Sequence, residues 1–134
     1  MGTSASLEAL RALDGLALVA VAFRLGLAGP LVHAVPSIQQ YWYKGTTRRW
    51  NPAENLAQAE AVFRRVRLLG WWSEVQGCAA DGWCRASGDD NMELAVCWPS
   101  DGAPTESHAL LLCAVLAATV SRTTEPSEKE TLHG

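Results

Sequence analysis

The stretch NPAENLAQAEAVFRRVRLLGWW, from Asn51 to Trp72, constrains the fold more than any other part of the chain. Asn51 is placed to cap a helix whose first residue is Pro52, where a missing N–H costs nothing, and Glu54 three residues after the cap completes a capping box. Leu56, Ala59, Val62, Phe63, Val66 and Leu69 recur at helical spacing, Gly70 stops the helix, and the following tryptophan pair suits a strand. One amphipathic helix therefore hands over directly to a sheet.

Beyond Gly70 the period changes from 3.6 to 2. Trp71 to Gln76, Trp83 to Ser87 and Met92 to Trp98 each have strand length, and the breaks GCAADG and GDDN have the composition of hairpin turns. In the third strand Met92, Leu94, Val96 and Trp98 face one way and Glu93, Ala95 and Cys97 the other, and the short connections make all three strands antiparallel neighbours. Pro99 ends the sheet. Thr105 caps a final helix expected from Glu106 to about Arg122, in which Ala109 to Val120 carries no charge and only Thr119 as a polar residue. Such a helix must lie against the sheet and be covered on its outer side as well, by the first helix or by a second copy of the chain in a homodimer. Residues 123–134, TTEPSEKETLHG, read as a disordered polar tail, which leaves residues 1–122 as one domain.

Ahead of the central helix, Ser4 to Gly26 reads as a single helix with a buried stripe of Leu10, Leu13, Leu16, Val19 or Ala20, Phe23 and Leu27. Leu18, Val21 and Ala22 extend its apolar surface nearly all round, so it too needs cover on more than one side. Leu31 to Gly45 is interrupted by proline and then strongly aromatic, and is expected to be a loop with one short extended piece. The result is an α/β (α+β) domain with a small three-stranded antiparallel sheet between helices, in the order α-α-β-β-β-α.

With 134 residues, 49% of them hydrophobic and 19% charged, the chain can build one real core. Its net charge of −3 argues against a general nucleic-acid binder, yet the six basic residues from Lys44 to Arg67 face only Glu54 and Glu60, a local balance of +4. The four cysteines are not needed as staples in so apolar a chain, no secretory signal frames the apolar run Gly15 to Phe23, and no stretch reaches the roughly 20 apolar residues of a spanning helix. A cytoplasmic protein with reduced thiols and no membrane partner is the expectation.

Little in the sequence points to catalysis. The cysteines are not in C-x-x-C pairs and His33, His108 and His133 form no i, i+4 pair, so neither a metal nor another cofactor is expected, and Cys97 and Cys113 read as small buried hydrophobes. Cys78 and Cys84 flank a turn and could face each other. Asp89 and Asp90 read as solvated turn residues, and no glycine-rich phosphate loop is present. No cysteine has the setting of an activated nucleophile, so the chain is read as a protein without enzymatic activity. The sharpest candidate surface is the aromatic and basic cluster YWYKGTTRRW with the arginines that follow it. Tyr41, Trp42, Tyr43 and Trp50 could anchor a partner or stack bases, while Arg48, Arg49, Arg64, Arg65 and Arg67 could meet an anionic protein or phosphates.

The order of helix, three antiparallel strands and helix resembles double-stranded RNA-binding domains. Where those carry a lysine cluster at the start of the final helix, however, this chain reads TESHA, and Glu106 is the wrong charge there. A resemblance across roughly residues 6 to 121 is to small phage proteins of the ABA-sandwich domain family, through LRALDGLALVAVAFRLGL, WNPAENLAQAEAVFRRVRLLGWW, DGWCRA and APTESHALLLCAVLAA. Leu13, Asp14, Gly26, Gly70, Trp71, Trp83, Thr105 and Ala109 occupy the family's places. The first helix departs from the pattern, with Ala, Val and Phe where charged residues are usual. The resemblance implies helices on both faces of a small sheet and a phage or prophage origin, and it transfers no catalytic residues.

The function expected on these grounds is that of a small phage- or mobile-element-encoded interaction protein. It would bind a host protein through the Tyr41 to Arg67 surface in a host-takeover or anti-defence role. A nucleic-acid-binding accessory protein using the same surface is the alternative.

Overall fold

The computed structural model describes the backbone of residues 2–88 and 92–133 and the side chains of residues 7–88 and 92–121. The turn residues Asp89, Asp90 and Asn91 lie outside the described residues. The apolar N-terminal stretch forms two helices rather than one, α1 (Gly2–Arg11) and α2 (Gly15–Arg24). Asp14 causes the break: its backbone is extended and its Oδ1 accepts from the N–H of Ala17 at 2.9 Å, so it starts a new helix instead of continuing the old one. The bend lets two sides of the stretch find cover, with Leu18, Val19 and Ala22 buried on α2 and Leu7 and Leu10 packed on the same core from α1.

Leu31 to Gly45 is a hairpin, not a loop. Strands β1 (Val32–Val35) and β2 (Gln40–Tyr43) pair antiparallel around a short 3₁₀ turn at Pro36–Ile38. The chain then returns beside β2, with the N–H of Tyr43 donating to Arg48 O and the N–H of Trp50 to Tyr41 O at 2.7 Å. Helix α3 (Leu56–Arg64) begins later than the capping box suggests. Asn51 instead opens an isolated turn, its carbonyl accepting from Glu54 and Asn55, and the side chain of Asn55 caps α3 by accepting from the N–H of Gln58 at 2.9 Å. Ala59, Val62, Phe63 and Val66 are buried as the periodicity requires, whereas Leu56 and Leu69 at the two ends are exposed. A 3₁₀ turn over Arg65–Leu69 closes on Gly70 in the left-handed conformation (φ 91°), which glycine adopts without strain.

Strands β3 (Trp72–Gly77), β4 (Gly82–Ser87) and β5 (Glu93–Trp98) form the expected meander in the order β3-β4-β5. The alternation in β5 holds for Leu94, Val96 and Trp98, which are buried, and for Glu93, Ala95 and Cys97, which are exposed. Met92, just before the strand, is exposed. The closing helix α4 (Glu106–His133) starts at Thr105, whose Oγ1 accepts from the N–H of His108. Its backbone continues past Arg122 through the residues read as a tail.

α4 is the axis of the molecule. It packs on β4 and β5 and on α1, α2 and α3, and every residue from Ser107 to Ala118 is buried. The outer side of this helix is thus covered by the chain's own helices, because α1 and α2 bring their apolar surface to it. The class is α+β, with the hairpin and the split first helix as additions to the expected order. The sheet itself is covered on one face. On the other, Trp72, Glu74, Gln76, Glu93, Ala95 and Cys97 are exposed and Trp83, Arg85 and Ser87 are half-buried. Arg85 there pairs with Glu74 and Glu93 across both neighbouring strands. Among the described residues, no helix is long and apolar enough to cross a membrane.

Candidate functional site

The aromatic residues of YWYKGTTRRW serve the fold first. Trp50 is 3% exposed and belongs to the core, so it is not part of a binding surface; its backbone bond to Tyr41 draws it inward. Tyr41 is half-buried, 4.6 Å between ring centroids from Phe23 of α2 and edge-on to Trp50 at 6.1 Å. This aromatic series holds the hairpin to the core. Tyr43 is half-buried with the guanidinium of Arg48 4.9 Å from its ring centroid, a cation–π contact. Trp42 is half-buried and bridges to Arg49 through the backbone. Gln58, a buried residue that the periodicity treats as polar surface, fastens this segment to α3: its Nε2 donates to Arg49 O at 3.0 Å and its Oε1 accepts from the N–H of Asn51 at 2.6 Å.

The arginines divide into three places. Arg48 and Arg49 are on the hairpin return. Arg65 is half-buried beside Gly29, the loop after α2. Arg64 and Arg67, three residues apart and therefore on one helix side, flank a cavity of about 200 Å³ between α3 and β3. Its floor is Phe63 and Leu110 and its outer wall is Val75 and Ser73. Arg67 Nε donates to Ser73 Oγ at 3.1 Å, and Arg64 donates from Nε to the carbonyl oxygen of Glu60 at 3.4 Å and makes a loose, exposed pairing with the Glu60 carboxylate at 3.9 Å. Neither cation is tied up in a buried ion pair.

That groove runs along an open strand edge. In an antiparallel ladder successive residues point their N–H and C=O alternately to the two sides. The bonds Cys78 N–H to Asp81 O and Gly88 N–H to Met92 O set the phase, so Trp72, Glu74 and Gln76 bond to β4 while Ser73, Val75 and Gly77 point their backbone groups outward. Among the described residues these outward groups have no partner. The other edge of the sheet is treated differently. Arg11 donates to Ala95 O at 3.2 Å and the N–H of Cys97 donates to Asp101 Oδ2 at 2.9 Å, so β5 is blunted. Beside the open edge, Leu68 and Trp72 are 77% and 76% exposed and Val75 is 46% exposed, an apolar fringe of the kind that marks interaction sites. Alternation predicted the strand, but nothing local to it distinguishes an edge from a centre, and so Ser73 and Val75 carry no functional signal in sequence.

The cysteines gather no chemistry around them. Cys84 and Cys113 are buried with their thiols toward the carbonyls of Val96, Ala109 and Leu94, while Cys78 and Cys97 are exposed. Cys97 therefore departs from its reading as a buried hydrophobe, because it falls on the bare face of the sheet. Cys84 pairs with Val75 across the ladder and points inward, away from Cys78. Among the described residues no three His, Cys, Asp or Glu side chains gather as a metal site. Compared with protein-family models, with curated proteins and with solved structures, the chain matches none. The fold and site define an α+β protein with a one-sided sheet that leaves one strand edge open beside two arginines.

Proposed function

We propose that the protein is a binding protein that captures an extended, acidic segment of a partner protein at the β3 edge. The partner would be a host protein if the chain is of phage or mobile-element origin, and the encounter would take place in the cytoplasm. The observation that carries this reading is the free backbone of Ser73 and Val75, two residues that line a groove flanked by Arg64 and Arg67. A fourth strand would find hydrogen bonds along the edge, a pocket over Phe63 and Leu110 for alternate side chains, and for carboxylates the two cations Arg64 and Arg67, which outweigh the single Glu60 in the same lining. The hairpin arginines, Arg48 and Arg49, support it less, since Arg48 is stacked on Tyr43 and the aromatics around it anchor the fold. The same engagement weakens the nucleic-acid alternative, which needs free rings for stacking.

The test is affinity capture from bacterial lysate, with and without nuclease, by the wild type and by two variants. Val75→Pro removes an outward N–H without touching the β3–β4 ladder, and Arg64→Glu with Arg67→Glu reverses the charge of the groove. Each variant is expected to keep its far-UV spectrum and lose the captured protein, while Arg48→Glu with Arg49→Glu keeps it. Undiminished capture by both groove variants overturns the proposal. Loss of all captured material after nuclease would move the function to nucleic acid.

A further inference from the structure

The open strand edge is also complementary to itself. A twofold axis lays β3 of one copy antiparallel to β3 of another, and the two edges pair only where outward-pointing residues meet outward-pointing residues. Those residues are Ser73, Val75 and Gly77. An axis at Val75 places Val75 opposite its own counterpart and Ser73 opposite Gly77, so every outward residue finds a partner. An axis at Glu74 would set two glutamates face to face, about 4.5 Å apart between Cα atoms, and put Gly77 opposite Trp71, whose N–H is already given to Val66. An axis at Gln76 would leave Ser73 opposite Ala79, in the turn after the strand. The Val75 register instead opposes Glu74 to Gln76, a pair without like charges.

The flanks match in the same register. Leu68 and Trp72, exposed at the start of the strand, come beside the exposed Cys78, Ala79 and Ala80 of the other copy. Arg67, bonded to Ser73, comes to the far end of the other β3, next to the turn in which Asp81 has no ion pair among the described residues. We propose that the protein forms a homodimer by pairing β3 with β3 of a second copy about a twofold axis at Val75, joining the two sheets into one. Association ends at two copies, because the edge left at each end of the joined sheet is β5, which Arg11 and Asp101 blunt. The pairing rests on the open edge and not on the capture of a partner protein. Where both hold, a partner segment displaces the second copy to reach Arg64 and Arg67.

The experiment is sedimentation equilibrium of the full chain in reducing buffer, from about 5 µM to about 500 µM. The mass is expected to rise from that of one chain, 14.4 kDa, to that of two and no further. Val75→Pro, which removes an N–H on the axis, should stay a single chain throughout. Gln76→Glu and Gln76→Lys, at an exposed position on the bare face, set a like or an opposite charge against Glu74 twice in each dimer. The first should weaken the dimer about fivefold and the second tighten it by a similar factor, and both serve should Val75→Pro fail to fold. A single-chain mass at every concentration, growth beyond two copies, a folded Val75→Pro that still pairs, or equal dimerisation by the two Gln76 variants would each overturn the proposal. Lysate capture is read separately: a monomer here leaves the proposed function standing, and a failed capture leaves the dimer standing.

Discussion

Arg11, the last residue of α1, donates from Nη2 to the carbonyl oxygen of Ala95 at 3.2 Å, closing the edge of β5 across 84 residues of sequence. With Asp101 receiving the N–H of Cys97, it leaves β3 as the edge on offer. This asymmetry gives a small sheet a single direction in which to add a strand, and so guards against open-ended association.

Arg11→Ala should therefore act at a distance from the proposed binding edge. The expected loss is roughly 0.5–1.5 kcal/mol in urea unfolding, the worth of one partly exposed hydrogen bond. Size-exclusion chromatography should show concentration-dependent association through the newly bared β5, while the binding of a partner at β3 is retained.

Trp71 is buried, and its indole N–H donates to Ser121 Oγ at 2.8 Å, tying the start of the sheet to the fifth turn of α4. Ser121→Ala removes the acceptor and leaves the indole donor unpaired. A destabilisation of about 1–3 kcal/mol is expected, and Ser121→Thr, which keeps the hydroxyl, should recover most of it.

Burial lowers the pKa of His108 below its ordinary 6.5, against the opposing field of Asp14. The unfolded chain then binds this proton at higher pH than the folded chain does. Stability is therefore full above about pH 6.5 and declines as pH falls from there toward the lowered folded value. Urea midpoints measured at intervals from about pH 7.5 to about pH 5.5 should show the decline in the wild type and a flatter profile in His108→Gln, which has no proton to bind at this position.

Thiol labelling should divide the cysteines evenly. Cys78 and Cys97 are exposed and should react with an aromatic disulfide reagent in the native protein. Cys84 and Cys113 are buried, and hydrogen bonding with Cys113, followed by burial, pushes the Cys84 thiol far above the ordinary range, so little thiolate exists to react. Two thiols modified natively and four in denaturant is the expected count; fast native modification of Cys84 would show that the core opens readily.

What the sequence determined by itself lay within a few residues of each signal. Gly70 stopping its helix, Thr105 starting α4, and the alternation of Leu94, Val96 and Trp98 all rest on backbone conformation or on side-chain spacing along one element, and both are local quantities. The break at Asp14 was missed, because the apolar spacing runs on through it and reads as one helix from Ser4 to Gly26; the extended backbone and side-chain cap of Asp14 divide it in two. Tertiary structure decided the rest. Trp50 became core rather than surface because the hairpin return bonds it to Tyr41, and the all-round apolarity of α4 was met by α1, α2 and α3. Which strand would be the open edge depended on how distant elements pack. Spacing along the chain carries no record of those distances.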